Sequence, residues 1–212
     1  MKTGFSFLIL LLSLYSCSTL EEHILQEEVY SADYKELLTK EEFNIIDIDS
    51  VNNIPELTSQ MAALACERKT AGLKFTFDEK AFHLTANARC PNPRETSCHF
   101  QQIQITIIND SIVRSPFGII KEPIENLEDL VTEISNKPYF FRIKKDIMKR
   151  GLIHLYFEEN EDISTAKKVL AEIAEVFGKM NSGEKTDFFE YDILITEYSP
   201  IPPPPPPFEA SE

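Results

Sequence analysis

The chain has 212 residues, of which 42% are apolar and 26% charged, enough for a sizeable core in one domain or two small ones. Thirty-five acidic residues against 21 basic ones give a formal net charge of −14, which argues against nucleic acid as a partner, because a phosphate backbone demands a basic face. Four cysteines and four histidines are too few for a disulfide-dense mini-protein or a zinc array.

Met1 and Lys2 make a short positive start, and Phe5 to Tyr15 is an apolar run broken only by Ser6 and Ser13. As a helix this run spans roughly 16 Å, about half of a ~30 Å hydrocarbon core. It therefore predicts the apolar region of a secretory signal and not a membrane-spanning helix. The run ends Leu14-Tyr15-Ser16-Cys17. That ending resembles the lipobox of bacterial lipoproteins, with an aliphatic residue three before the cysteine and a small one directly before it; Tyr15 is bulkier than usual. The resemblance implies cleavage before Cys17, a diacylglycerol on its sulfur and acylation of its new amino group. Two or three chains give a durable membrane anchor, at about 0.8 kcal/mol per buried methylene. It also implies a bacterial cell envelope location, and Ser18, where some systems use Asp to retain a lipoprotein in the inner membrane, favours the outer one. The alternative is ordinary cleavage after Ser18, which discards Cys17.

From Ser18 to Asp49, ten acidic residues stand against Lys35 and Lys40. Such a block beside a lipid repels anionic headgroups, so residues 17–50 are expected to form an acidic tether. Within it, Tyr34, Leu37 and Leu38 are spaced for a short helix. The domain is expected over 51–198. Ile54 to Arg68 puts Leu57, Met61, Leu64 and Ala65 on one helical face, with Pro55 in the first turn and Gly72 just beyond. Leu73 to Phe77 and Ala81 to Ala86 read as a hairpin joined by Asp78-Glu79-Lys80, without the usual turn glycine.

Ile103 to Ile107 alternates as a half-buried strand, Asn109-Asp110-Ser111 signals a turn, and Ile112 to Ile120 returns as a ragged strand interrupted by Pro116. Asn126 with Asp129 resembles a capping box before the stripe Leu127, Leu130, Val131 and Ile134, and Asn136 with Pro138 ends that helix. Leu152 to Phe157 is the next strand. Asp162 or Ser164 then caps a helix whose Ile163, Val169, Leu170, Ile173, Ala174 and Phe177 share one face, with Gly178 placed for a left-handed C-terminal cap. Tyr191 to Tyr198 closes the fold as a strand. The order predicts an α+β two-layer sandwich, a mixed sheet with helices on one face, preceded by an N-terminal helical segment. Residues 199–212 form a proline-rich tail, in which Pro202 to Pro207 make a polyproline II rod of about 19 Å. Its readings are a docking peptide flanked by Ile201 and Phe208, or a stiff terminus.

Residues 101–198 resemble the periplasmic domain of the ExbD/TolR biopolymer-transport proteins. The matching pieces are QIQITIINDSIV, ENLEDLVTEI, LIHLYFEEN, DISTAKKVLAEIAEVF and YDILITE. The resemblance implies a soluble domain that contacts other envelope proteins and can form a homodimer. It does not extend to proton transport, because that family uses a transmembrane helix with an aspartate, and the apolar run here is too short and has no carboxylate.

Cys90 and Cys98 bracket CPNPRETSC, and in an oxidising compartment a Cys90–Cys98 disulfide would clamp the loop between two strands, leaving Cys66 as a small buried apolar residue. A metal site from Cys66, Cys90, Cys98 and His99 matches no zinc spacing, so no metal or other cofactor is expected. Gly178 to Thr186 only superficially suggests a phosphate loop: Glu184 separates the second glycine from Lys185, and the order is helix then strand. Arg142, Lys144, Lys145, Lys149 and Arg150 form a basic cluster, read either as a patch for an acidic partner or as a solvated face paired with the protein's own acids, of which Glu158 to Asp162 follow closely. His23, His83, His99 and His154 stand in no catalytic arrangement, and no catalytic residue is assigned. The sequence thus favours a lipid-anchored envelope protein with a non-catalytic interaction domain; a lipid-anchored inhibitor or immunity-type protein is the alternative, and an envelope hydrolase the third choice.

Overall fold

The computed structural model describes residues 27–91, 101–115, 120–142, 147–182 and 188–199. In chain order these form β1 (Glu28–Tyr30), α1 (Tyr34–Leu37), β2 (Phe43–Asp47), α2 (Ile54–Cys66), β3 (Thr70–Phe77), β4 (Lys80–Ala88), β5 (Ile103–Ile108), β6 (Ser111–Val113), β7 (Lys121–Pro123), α3 (Leu127–Ser135), β8 (Gly151–Tyr156), α4 (Ile163–Met180) and β9 (Tyr191–Thr196). The strands make one mixed sheet in the order β2-β3-β4-β9-β8-β5-β6-β7, with β1 also on β4. The class is α+β.

Register explains why the helices share a face. Leu73 pairs with Leu84 and Phe75 with Phe82, while Ile105, Ile153 and Ile193, and then Ile107, Leu155 and Ile195, line up across β5, β8 and β9. All of these side chains join one buried cluster with Leu57 and Met61 of α2, Leu127 and Val131 of α3, and Val169, Ile173 and Phe177 of α4. Alternation sends the neighbours of these strand residues to the opposite face. There Ile45 and Lys74 are exposed, whereas His83, Thr85, Leu152, His154 and Leu194 are buried.

The main departure from expectation is at the N-terminal side. Residues 27–50 are not a tether: β1 pairs in parallel with β4, and β2 pairs in parallel with β3. The α-helical part of this stretch is the single turn α1, followed by a 3-10 turn at Ile48–Ser50, while the helix expected from Ile54 onward is present as α2, ahead of the β3–β4 hairpin. Asp49 fixes this region to the rest. Its carboxylate accepts from the Thr76 N–H at 3.0 Å and from Lys167 of α4 at 2.6 Å. Burial alone would raise its pKa, but the Lys167 and Thr76 bonds outweigh that and hold it below the ordinary carboxylate value.

Helix ends follow local chemistry more than glycine placement. Asn53 caps α2 by accepting from the Glu56 N–H at 2.9 Å. That helix ends before Gly72: Arg68 takes the left-handed conformation (φ 60°), and the N–H groups of Arg68 and Lys69 close back on Ala65 and Leu64. Gly72 instead lies inside β3, where a Cβ would meet the Phe43 ring at 2.5 Å. Asn126 makes no side-chain cap; a 3-10 turn at Ile124–Asn126 leads into α3. Gly178 is no left-handed cap either, since α4 runs on to Met180. Asn181 follows it and exchanges two hydrogen bonds with the Phe189 backbone, at 2.8 and 3.1 Å. Asp162 does cap α4, accepting from the Ser164 N–H.

The disulfide pairing differs as well. Cys66, at the end of α2, bonds Cys90, just after β4, with a Cα–Cα distance of 4.7 Å. A sulfur forms one such bond, so Cys90 is not paired with Cys98, which lies outside the described residues. The reason is spatial: β3 returns the chain from the end of α2 along the whole of β4, which brings residues 66 and 90 together. Cys66 is accordingly exposed and bonded, not the small buried apolar residue expected from the sequence.

Two stability measurements follow. Closing a loop across a sequence separation of 24 removes denatured-state entropy worth about 3.5 kcal/mol in the chain-entropy treatment. Cys90→Ser should lower unfolding free energy by that order, Cys98→Ser should not, and a non-reducing peptide map should recover the Cys66–Cys90 pair. In the β3–β4 hairpin, Asp78 (φ 46°) and Glu79 (φ 64°) both occupy left-handed conformations. Asp78→Asn with Glu79→Gly supplies the residues such a turn favours and should raise stability by about 1 kcal/mol, seen as a Tm higher by roughly 2–4 °C.

Candidate functional site

The site with the most polar chemistry lies where the sheet divides. One edge of β4 pairs with β3 over Ala71–Phe77. Its other edge is shared, by β1 at Ala81–His83 and by β9 at Asn87–Ala88. Between them, side chains replace the strand. Ser31 donates its N–H to the His83 carbonyl at 2.9 Å, and its hydroxyl accepts from the Thr85 N–H at 3.1 Å. The Thr85 hydroxyl donates to Asp33 Oδ1 at 2.7 Å.

Arg150 spans this gap. Its Nη2 stands 3.8 Å from Asp33 Oδ2 and its Nε 3.4 Å from Asp192 Oδ1. The Nε is buried yet makes no hydrogen bond of good geometry. A crevice of about 360 Å³ opens here, walled by Phe177 and Gly178 of α4, by Asn181 just after it, and by Tyr30, Glu190 and Tyr191. Nothing lies within 4 Å of where a Gly178 Cβ would sit, so this position leaves the wall open. Burial pushes the Tyr191 phenol pKa up and the Asp33 carboxylate adds to it, so the hydroxyl stays a donor. The crevice can therefore present a guanidinium, a phenol and carboxylates to a small polar group.

A second crevice, of about 300 Å³, lies between the disulfide and the end of β9, with Thr58, Arg89, Cys90, His154 and Tyr198 among its lining. His154 Nε2 stands 3.0 Å from the Thr196 hydroxyl, which itself reaches the Tyr198 carbonyl at 3.0 Å. A hydroxyl has one proton to give; with that proton on Tyr198, His154 Nε2 is the donor and the ring ties β8 to β9.

The other histidine of the sheet is stacked. His83 lies 4.5 Å from the Tyr30 ring at 11° and 5.4 Å from Tyr34, while Lys35 Nζ sits 4.1 Å from the Tyr30 centroid. Its Nε2 is buried without a hydrogen-bond partner. Burial lowers its pKa, and Lys74 and Lys35 push the same way against Glu28.

The described members of the basic cluster have partners other than the acids at 158 to 162. Arg142 pairs with Glu190 at 2.9 Å, Lys149 bonds Gln102 and the Tyr139 carbonyl, and Arg150 faces Asp33 and Asp192. Lys144, Lys145, Cys17, Cys98, His23, His99 and residues 183–187 lie outside the described residues. Cys66 and Cys90 are committed to each other and not to a metal. Ser31, Asp33, Thr85 and Asp192 carry no sequence signal as a set: they come from three separate stretches, the β1–α1 connection, β4 and β9.

No family model, curated protein or solved structure matches the chain.

The stacked histidine makes pH a probe of this region. A native pKa below the unfolded value near 6.5 means full stability above that pH, because both states are then neutral. As pH falls below it, the unfolded chain takes up the proton first and stability drops until the native pKa is passed. Urea midpoints between pH 7.5 and 5.5 should fall for the parent chain and fall less for His83→Phe, which keeps the ring stack.

Proposed function

We propose that this chain is a lipid-anchored bacterial envelope protein whose α+β domain works by binding another protein, without catalysis. Three features support the reading. The Leu14-Tyr15-Ser16-Cys17 sequence supplies an acylation site. No helix among the described residues is long and apolar enough to cross a membrane, so the lipid would do the holding. The observation that carries the binding role is the position of the charge. Of the ten acidic residues between Ser18 and Asp49, all but Glu21 and Glu22 belong to the described fold. Asp33 and Asp49 bond inward and Glu27 and Glu36 pair with lysines, which leaves Glu41, Glu42 and Asp47 as exposed acids able to select a basic partner.

With β1 beginning at Glu28, the segment after Cys17 is short. Even fully extended, it reaches roughly 40 Å, at about 3.3–3.6 Å per residue. The partner is thus an envelope component near the membrane, the outer membrane by the identity of Ser18. An ExbD/TolR-like role, as a binding domain without the proton pathway, is supported by the run β5, β6, β7, α3, β8, α4, β9. An inhibitor or immunity-type role is the second reading, favoured by the same acidic surface.

Palmitate labelling tests the anchor: the wild-type chain should label and Cys17→Ser should not, and equal labelling would overturn it. Cross-linking in intact envelopes tests the partner. Recovery of a transport motor subunit supports the first role, a basic toxin supports the second, and no cross-linked protein contradicts both.

A further inference from the structure

A sheet with eight strands in series has two ends, and here the two are guarded differently. The β7 end is three residues long and contains Lys121 and Pro123, features that block the addition of another strand. The β2 end is five residues, Phe43-Asn44-Ile45-Ile46-Asp47, with no proline and no lysine. Among the described residues it pairs with β3 alone. Its Glu42 carbonyl accepts from the Thr70 N–H at 2.8 Å. Because backbone groups alternate in direction along a strand, those of Asn44 and Ile46 turn toward β3 and those of Ile45 turn toward the open edge. Ile45 is 51% exposed.

Charge decides what this edge accepts. Glu41, Glu42 and Asp47 are exposed and form no ion pair among the described residues. A second copy pairing antiparallel about Ile45 would set Phe43 opposite Asp47 and Glu41 opposite Asp49, crowding acids at both ends. Self-pairing is therefore opposed. A strand with lysine or arginine at its ends gains the ladder and the charge attraction together.

We infer that β2 is a docking edge for an extended basic segment of a partner protein, which adds as a further strand outside it. This rests on the proposed binding role and names the surface that performs it.

The test uses the purified full-length chain and a defined probe, the amidated peptide Lys-Lys-Val-Thr-Val-Thr-Val-Lys-Lys, with a counterpart carrying glutamate for each lysine. Anisotropy titration should give saturable binding of the basic peptide, at least about tenfold tighter than the acidic one, with amide NMR shifts centred on Ile45. Ile45→Pro removes the outward N–H and the exposed isoleucine side chain but no donor of the β2–β3 ladder, which an edge strand tolerates, so circular dichroism should persist while binding weakens by about tenfold or more. Reversing the charges with Glu41→Lys, Glu42→Lys and Asp47→Lys should invert the preference to the acidic peptide. Absence of saturable binding, or binding indifferent to both variants, overturns the inference. So does a dimer that Ile45→Pro dissociates, which gives the edge to a second copy, or binding that needs removal of residues 200–212, which gives it to the chain's own tail. None of these outcomes touches acylation of Cys17 or a cross-linked partner held elsewhere on the domain, so failure here is separable from failure of the binding role.

Discussion

A strand has two hydrogen-bonding edges, and β4 gives one of them to β3 and divides the other between β1 and β9. Everything distinctive about the structure stems from that division. Two strands that share an edge end to end leave a stretch of backbone that neither pairs. The buried polar groups there still need partners. Ser31, Asp33 and Thr85 supply them, and Arg150 links that cluster to Asp192 on the β9 side. The crevice beside α4 is the space left where β1 and β9 part, so its polar lining is a by-product of how the sheet is assembled.

The same division explains the weight carried by short elements. A three-residue strand has little ladder of its own, and β1 is held also by Tyr30 stacking on His83 and by Ser31 bonding across to Thr85. The region from β1 to β2 is covalently distant from α4 but tied to it by the Asp49–Lys167 pair. Acidic residues in this part of the chain therefore have two roles. Asp33 and Asp49 bond inward, while Glu41, Glu42 and Asp47 remain on the surface.

The long elements were legible in the sequence because their apolar spacing is unambiguous. The stripes Leu127-Leu130-Val131-Ile134 and Val169-Leu170-Ile173-Phe177 are buried as expected, and so is the alternation from Ile103 to Ile107. β1 and β2 were not legible. Glu28-Val29-Tyr30 is too short for a period, and the flanking acids of Phe43–Asp47 gave the segment the composition of a solvated tether. The disulfide was misassigned because proximity in sequence suggested Cys98, whereas proximity in space runs through the hairpin to Cys66. Gly72 and Gly178 carried the wrong meaning for a related reason. One makes room for Phe43 and the other sits in a helix wall, and neither purpose leaves a local signature. Of the candidate site, the sequence marks Arg150 only as a member of a basic run, and Phe177, Gly178 and Tyr191 only as parts of a helix and a strand.

The parallel pairing of β1 with β4 also has a mechanical meaning. Tension applied to the chain ahead of Glu28 enters the fold through β1, and β1 hands it directly to β4, the strand on which both halves of the sheet meet. The disulfide holds the far end of the same strand to α2. A pull from the N-terminal side is thus resisted by the centre of the fold, and the few bonds of β1 set the force at which it first gives way.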